Sequence, residues 1–402
     1  MPLFPTSLPT SDGSLSAVLP TVAAALGAPV AGLALLPDPA QDAPAAPLPE
    51  ASCAVVVLVD GLGELLLARR GGHAPTLRRI RAEPASRVVS CAFPSTTATS
   101  MGCVGTGVLP GTHGLVGLDV RDPARGVLFN ELAWDPEVDA RRWQPNPTVF
   151  EAVLGQGVEV VRVGPAFFDG SGLTEAVLRG GRFEAASSLD ARVDAAVRAV
   201  QSARRRRARC LVFLYWGELD KTGHLHGCGS WQWGEELSAV DAAVRALARR
   251  LDDRTLVVVT ADHGMVDVPM ADRLDVATEP DLAAGVDLVG GEPRALHLYC
   301  RPGAVPDVVA AWRARLGDRM HVATREDVVA AGWFGPVAEH VLPRIGDVVV
   351  TADDSSDGAV AVVDSRTARP EVLRLLGLHG AATAAECLVP LLVTMGENRT
   401  AR

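Results

Sequence analysis

Residues 53–63 read CAVVVLVDGLG. The seven residues from Cys53 to Val59 are apolar without alternation, which predicts a short strand covered on both faces. An acid and a glycine, Asp60-Gly61, follow at once. The pattern recurs twice. The apolar run 210–215 leads through Trp216-Gly217-Glu218-Leu219 to Asp220, and the run 255–260 leads to Asp262-His263-Gly264. Further strands are predicted at 88–93 and 158–163, with helices at 62–70, 148–154, 189–207 and 230–251 between them. Strands alternating with helices predict an α/β fold, a central, largely parallel sheet flanked by helices on both faces. An active site is then expected beyond the carboxyl ends of the strands.

A second stretch, 93–117, reads FPSTTATSMGCVGTGVLPGTHGLVG. A strand end is followed by Ser95, Thr96, Thr97, Thr99 and Ser100, then by small residues that read as a helix. A hydroxyl at a helix start sits where backbone N–H groups and the helix dipole favour an anion. It is a candidate nucleophile at phosphorus, or equally an N-cap. The acids and imidazoles weigh on this choice. Asp220 and His224 are spaced i, i+4, able to reach one ion from a helical turn. Asp262 and His263 share a strand terminus whose turn Gly264 lets tighten, and His379 lies in the loop Gly377-Leu378-His379-Gly380. Three strand-end acids, three glycine-flanked histidines and a hydroxyl at a helix start point together to a two-metal site.

The 402 residues, 48% hydrophobic and 21% charged, describe a globular chain of two or three units. A net charge of −10 argues against a nucleic-acid-wrapping surface. It leaves an anionic small-molecule substrate open, because bound cations invert a local field. Seven cysteines without a CxxC pair read as reduced and buried. No basic n-region with an apolar h-region opens the chain and no span reaches 18 apolar residues, so a cytoplasmic enzyme without a membrane span is expected. Residues 1–50 read as an N-terminal helix (20–26) and linker (37–49) packed on the core. Residues 51–267 and 347–402 form the expected catalytic domain, with 268–346 a small inserted α+β cap.

The segments VVVLVDGLG, FPSTTATS…GTGVLPGTHG, LYWGELDKTGHLHG, TADHGM and LGLHG resemble the successive motifs of the alkaline phosphatase superfamily. They are most similar to its type I phosphodiesterase/nucleotide pyrophosphatase branch, in order, over residues 53–380. The resemblance implies an alkaline-phosphatase-like sheet and a phosphodiester or nucleotide substrate cleaved through a threonine-linked intermediate. It implies Thr97 as the nucleophile, the threonine four positions after Phe93, leaving Ser95 and Thr96 to capping. It also implies one zinc on Asp220, His224 and His379, and a second on Asp60, Asp262 and His263 with the Thr97 hydroxyl. Such nitrogen and oxygen donors also admit manganese or iron.

Two dications balanced by Asp60, Asp220, Asp262 and a Thr97 alkoxide make a near-neutral site, which favours a monoanionic diester over a dianionic monoester. Residues 98–110 contain no arginine or lysine, unlike phosphate-monoester enzymes that resemble the superfamily's founding member. One departure stands out: Leu118 occupies the place where the branch carries a phosphate-steadying asparagine. The alternatives are phosphonoacetate-type or phosphomonoester hydrolysis on the same core, or a metal-binding protein without catalysis. His113 is expected to support the nucleophile loop, and His226 to point away from the ligands, toward solvent or toward substrate. Lys221 reads as a solvated charge or a substrate contact, and Trp231, Trp233, Trp333 and Phe334 as core or a base-stacking wall.

Overall fold

The computed structural model describes residues 13–37, 46–356, 358–368 and 370–398. Most of the linker read at 37–49 lies outside the described residues. Seven strands form the central sheet: β1 Cys53–Val59, β2 Arg87–Ser90, β3 Val158–Gly164, β4 Arg182–Ala185, β5 Arg209–Trp216, β6 Thr255–Thr260 and β7 Leu388–Met395. They lie in the order β2-β7-β6-β1-β5-β3-β4. β1 is parallel to both β5 and β6, and β3 is parallel to β5 and β4, while β7 runs antiparallel to β6 and β2. Every residue of β1 is buried, as an apolar run without alternation demands.

The helix Leu189–Arg205 begins on Ser188, whose hydroxyl accepts from the Ala191 N–H, and ends with Arg204 and Arg205 at the negative pole of its dipole. The helix Trp231–Arg250 buries Trp233, Leu237, Val240, Val244 and Leu247, an apolar stripe at helical spacing. Among the described residues no helix is long and apolar enough to cross a membrane.

The strand expected over 88–93 stops at Ser90. Beyond it Phe93 packs edge-on against Trp333 and Phe334, at centroid separations of 4.6 and 5.6 Å, so the chain leaves the sheet to bury the ring. Those two aromatics are therefore core, as is the fully buried Trp233. Trp231 is 66% exposed.

A second, antiparallel sheet of six strands runs His321–Thr324, Val348–Thr351, Ala295–Cys300, Val286–Glu292, Asp119–Asp122, Val127–Asn130. It draws on segments on both sides of residues 268–346. Its own apolar cluster includes Leu298, Trp312, Val322 and Val350.

A buried ion pair ties this region to the C-terminal segment. Arg294 and Glu386 are 2% and 0% exposed, joined by two 2.8 Å hydrogen bonds. Glu386 also accepts from the Ala381 N–H and the Thr383 hydroxyl. Arg294→Met leaves a buried carboxylate without its counter-charge and is expected to cost about 3–5 kcal/mol. Urea denaturation of wild type and variant checks this.

Candidate active site

The carboxyl ends of β1, β5 and β6 converge, and the acids that follow them meet in one buried cluster. Val59 pairs in register with Trp216 and Leu58 with Thr260, so Asp60, the turn 217–220 and Asp262-His263 leave the sheet at one level. Gly264 permits this by having no side chain. An added Cβ would lie 2.0 Å from the Ala385 carbonyl oxygen, a contact that backbone cannot yield to. Its expected role in tightening the turn is thus a close approach of two chain segments.

Thr97 is the first residue of the helix Thr97–Thr106, and its hydroxyl lies 3.2 Å from His263 Nε2. The capping expected of Ser95 and Thr96 does not occur. Thr96 occupies the N-cap position without a side-chain cap bond. Ser95 donates instead to the Ala381 carbonyl and accepts from the Gly380 N–H, because residues 380–381 run alongside it.

The three histidines share one arrangement. Nδ1 of His224, His263 and His379 lies 2.7, 2.9 and 2.9 Å from the backbone carbonyls of Gly377, Gly264 and Ser95. A carbonyl only accepts, so each Nδ1 carries a proton and Nε2 is the nitrogen left to meet an ion. Those nitrogens face carboxylates. His224 Nε2 is 3.2 Å from Asp220 Oδ2, and His263 Nε2 is 3.4 Å from Asp60 Oδ1 and 3.6 Å from Asp262 Oδ2. The rings of His263 and His379 stack at 3.7 Å.

Asp60 Oδ1, Asp220 Oδ1 and Asp262 Oδ2 are buried with no hydrogen-bond partner. Imidazole nitrogens converging on carboxylates, with three carboxylate oxygens left unpartnered, are what a cation would satisfy, so these residues fit a metal centre. Two sets have ligand atoms within 4.8 Å of one another: Asp220, His224, His379 and Asp60, Asp220, His263. Asp220 belongs to both. Asp262 turns Oδ1 to the Gly61 and His263 N–H groups and leaves Oδ2 toward His263.

Burial, reinforced by the Asp262 and Asp220 carboxylates, pushes Asp60 well above the usual carboxylate range. Burial acts on Asp220 in the same direction, but His224, His379 and His263 outweigh it and hold that carboxyl at about 2.

Two further residues of the site were not among the expected ones, Tyr215 inside a quoted segment and Glu292 outside all of them. Tyr215 donates its hydroxyl to Asp60 Oδ2. Glu292, at the end of a second-sheet strand, sits 3.4 Å from His379 Nδ1 and is held well above its ordinary pKa by burial. Tyr215 was within reach of the sequence, as the one hydroxyl-bearing residue of the apolar run 210–215, placed at its end. Glu292 was not, because Gly290-Gly291-Glu292 resembles any turn.

The other candidates fall outside the cluster. His113 is fully buried, accepts from the Leu115 N–H and lies 3.4 Å from Cys103 Sγ, a scaffold under the helix Thr97–Thr106. Lys221 is exposed and pairs with Glu218 at 3.4 Å. His226 lies 3.5 Å from Gln232 in an exposed position. Leu118 does reach the site and lines its cavity.

That cavity, of about 570 Å³, opens from Asp60, Thr97, Asp220 and His379 into a largely apolar chamber. Its aromatic lining comes from Phe167, Phe168, Phe183, Phe213 and Tyr215, not from the tryptophans.

A family model described as type I phosphodiesterase/nucleotide pyrophosphatase matches residues 54–362. Among solved structures, the murine ectonucleotide pyrophosphatase/phosphodiesterase 5 is 19% identical with a TM-score of 0.65, over 84% of this chain and 87% of that one. An inactive threonine-to-alanine variant of the murine protein in complex with AMP is 18% identical, TM-score 0.66, over 85% and 88%. The phosphonoacetate hydrolase from Sinorhizobium meliloti 1021 in complex with phosphonoformate is 20% identical, TM-score 0.63, over 88% and 93%. At these identities the likeness establishes the fold. A search of curated proteins finds no match.

Proposed function

Because the chain belongs to the type I phosphodiesterase/nucleotide pyrophosphatase family, we propose that it hydrolyses phosphodiester or pyrophosphate bonds with Thr97 as nucleophile. The observation that carries this reading is the Thr97 hydroxyl, 3.2 Å from His263 Nε2 at an uncapped helix start.

Asp220, His224 and His379 would hold one divalent cation, and Asp60, Asp262 and His263 the other, zinc in preference to manganese or iron. When bound, such ions supply Lewis-acid stabilisation of phosphoryl charge and lower the pKa of hydroxyl and water. Thr97 Oγ attacks phosphorus in line, forming the Oγ–P bond as the bond to the leaving oxygen breaks, and the hydroxyl proton ends on that leaving oxygen, as one proton of the later water ends on Oγ. Water then attacks phosphorus, the Oγ–P bond breaks, and the threonine hydroxyl is restored. The first-turn N–H groups of the helix Thr97–Thr106, uncapped by any side chain, face the phosphoryl oxygens with the positive end of the dipole. The hydrogen bond from Tyr215 to Asp60 holds that carboxylate in place.

Charge supports a diester. Asp60, Asp220 and Glu292 line the cavity with a single cation, Arg162, among its described lining residues, so acids outnumber basic residues there. Leu118 supplies an apolar wall where a polar donor to phosphate was expected. The murine relative's AMP complex makes a nucleotide arm one candidate occupant. The S. meliloti enzyme makes phosphonate cleavage the competing reading.

Turnover of bis(p-nitrophenyl) phosphate, p-nitrophenyl phosphate and phosphonoacetate separates these. The diester is expected to lead the monoester by about tenfold or more in kcat/KM, a difference of roughly 1.4 kcal/mol in transition-state binding. Dominant monoesterase or phosphonatase activity overturns the assignment.

A further inference from the structure

The cavity contains one charge that the hydrolytic reading does not use. Arg162, on β3, is 7% exposed and lines the chamber with its Nε and Nη1 buried and unpartnered. A guanidinium does not escape burial by losing its proton. The carboxylates that act on it electrostatically, Glu175 and Asp169, form no ion pair with it; Glu175 lies instead 3.5 Å from Arg141. Its one described contact of note is the Phe183 ring, 5.7 Å away.

Register explains the surroundings. Arg162 pairs with Phe183 on β4 and with Phe213 on β5, so two phenyl rings flank the cation. Two residues further along β5 lies Tyr215, the partner of Asp60. One strand spacing and two residues of rise put the Cα atoms of Arg162 and Tyr215 roughly 8 Å apart. Gly164, on the same face of β3 as Arg162, leaves the intervening space without a side chain. A Cβ there would meet only the Phe168 and Phe183 rings, at 3.5 Å.

We infer that Arg162 is the specificity-determining residue of the chamber, binding a carboxylate at the far end of an apolar ester arm. This rests on the diesterase reading above. The apolar walls accept the arm, and a single unpaired guanidinium is neutralised by a monoanion, whereas a dianionic phosphate terminus would leave charge uncompensated.

The test uses p-nitrophenyl phosphodiesters whose second arm is ω-carboxypentyl or its methyl ester. Binding is measured by calorimetry on the Thr97→Ala protein, so that it is read without turnover. The carboxylate is expected to bind at least about tenfold tighter than the ester, the worth of a charge-assisted hydrogen bond. In Thr97→Ala/Arg162→Met that ratio falls to near one, and Arg162→Lys restores part of it. Thermal unfolding of Arg162→Met is expected no lower than wild type, since the variant removes an unpaired buried charge. Equal binding of both arms, or a ratio unchanged in Arg162→Met, overturns the inference. Absence of wild-type turnover on every diester overturns the hydrolase reading instead, and leaves the binding ratio to decide for Arg162.

Discussion

Thr97→Ala is expected to lower kcat/KM on a diester by at least about 10³-fold, as loss of a covalent nucleophile does elsewhere. The hydroxyl is the only part of the side chain that the chemistry uses, and the backbone of the helix start does not depend on it. Alanine is a good helix former, so stability should stay within about 0.5 kcal/mol. Bound metal should also remain, because the carboxylates and imidazoles of the site are untouched. Thr97→Ser should recover part of the rate, while Thr97→Val, closer in shape, should not. Steady-state kinetics with metal analysis of each variant decides the matter. A Thr97→Ala protein turning over at the wild-type rate would remove Thr97 from the mechanism.

The second large effect concerns Asp220. Its ligand atoms lie within reach of both candidate sets, one with His224 and His379, the other with Asp60 and His263. Asp220→Asn is therefore expected to lower the content of both ions, and to reduce kcat/KM by on the order of 10³-fold or more, given several kcal/mol of transition-state stabilisation. Asp262→Asn should cost less metal, since one Asp262 oxygen is already engaged by two backbone N–H groups. A chelator should abolish activity and zinc restore it. Chelation should also lower the unfolding midpoint, because ions that bind only the folded state stabilise it by mass action. Equal metal loss in the two variants would show that Asp220 has no shared role. Activity and unfolding midpoint both unchanged by chelation would dismiss the metal centre altogether.

Much of the fold was legible because its signals are local. An apolar run without alternation, as in β1, has one common solution, a strand covered on both faces. The helix Trp231–Arg250 announces itself by a serine cap and an apolar stripe at helical spacing. The strand end at Ser90 was not legible, since Phe93 is as apolar as a strand residue and leaves the sheet only to meet Trp333 and Phe334. Thr96 failed for a related reason. It occupies the N-cap position, but cap chemistry depends on where a hydroxyl points.

The second sheet shows the same limit on a larger scale. Strand Asp119–Asp122, which carries Val127–Asn130 at its other edge, joins a strand more than 150 residues away, a pairing that no local pattern encodes. Glu292 reaches His379 through that pairing.

The sequence by itself determined which chemical groups the site contains: acids at three strand ends, histidines beside glycines, and a threonine at a helix start are local features. Tertiary structure alone decided which lone pairs face one another and what the chamber beyond them will accept. Asp220 standing between two sets, Tyr215 on Asp60, and Arg162 between two phenyl rings are products of strand order and register. Those are set by burial summed over the whole sheet, so no single stretch of sequence announces them.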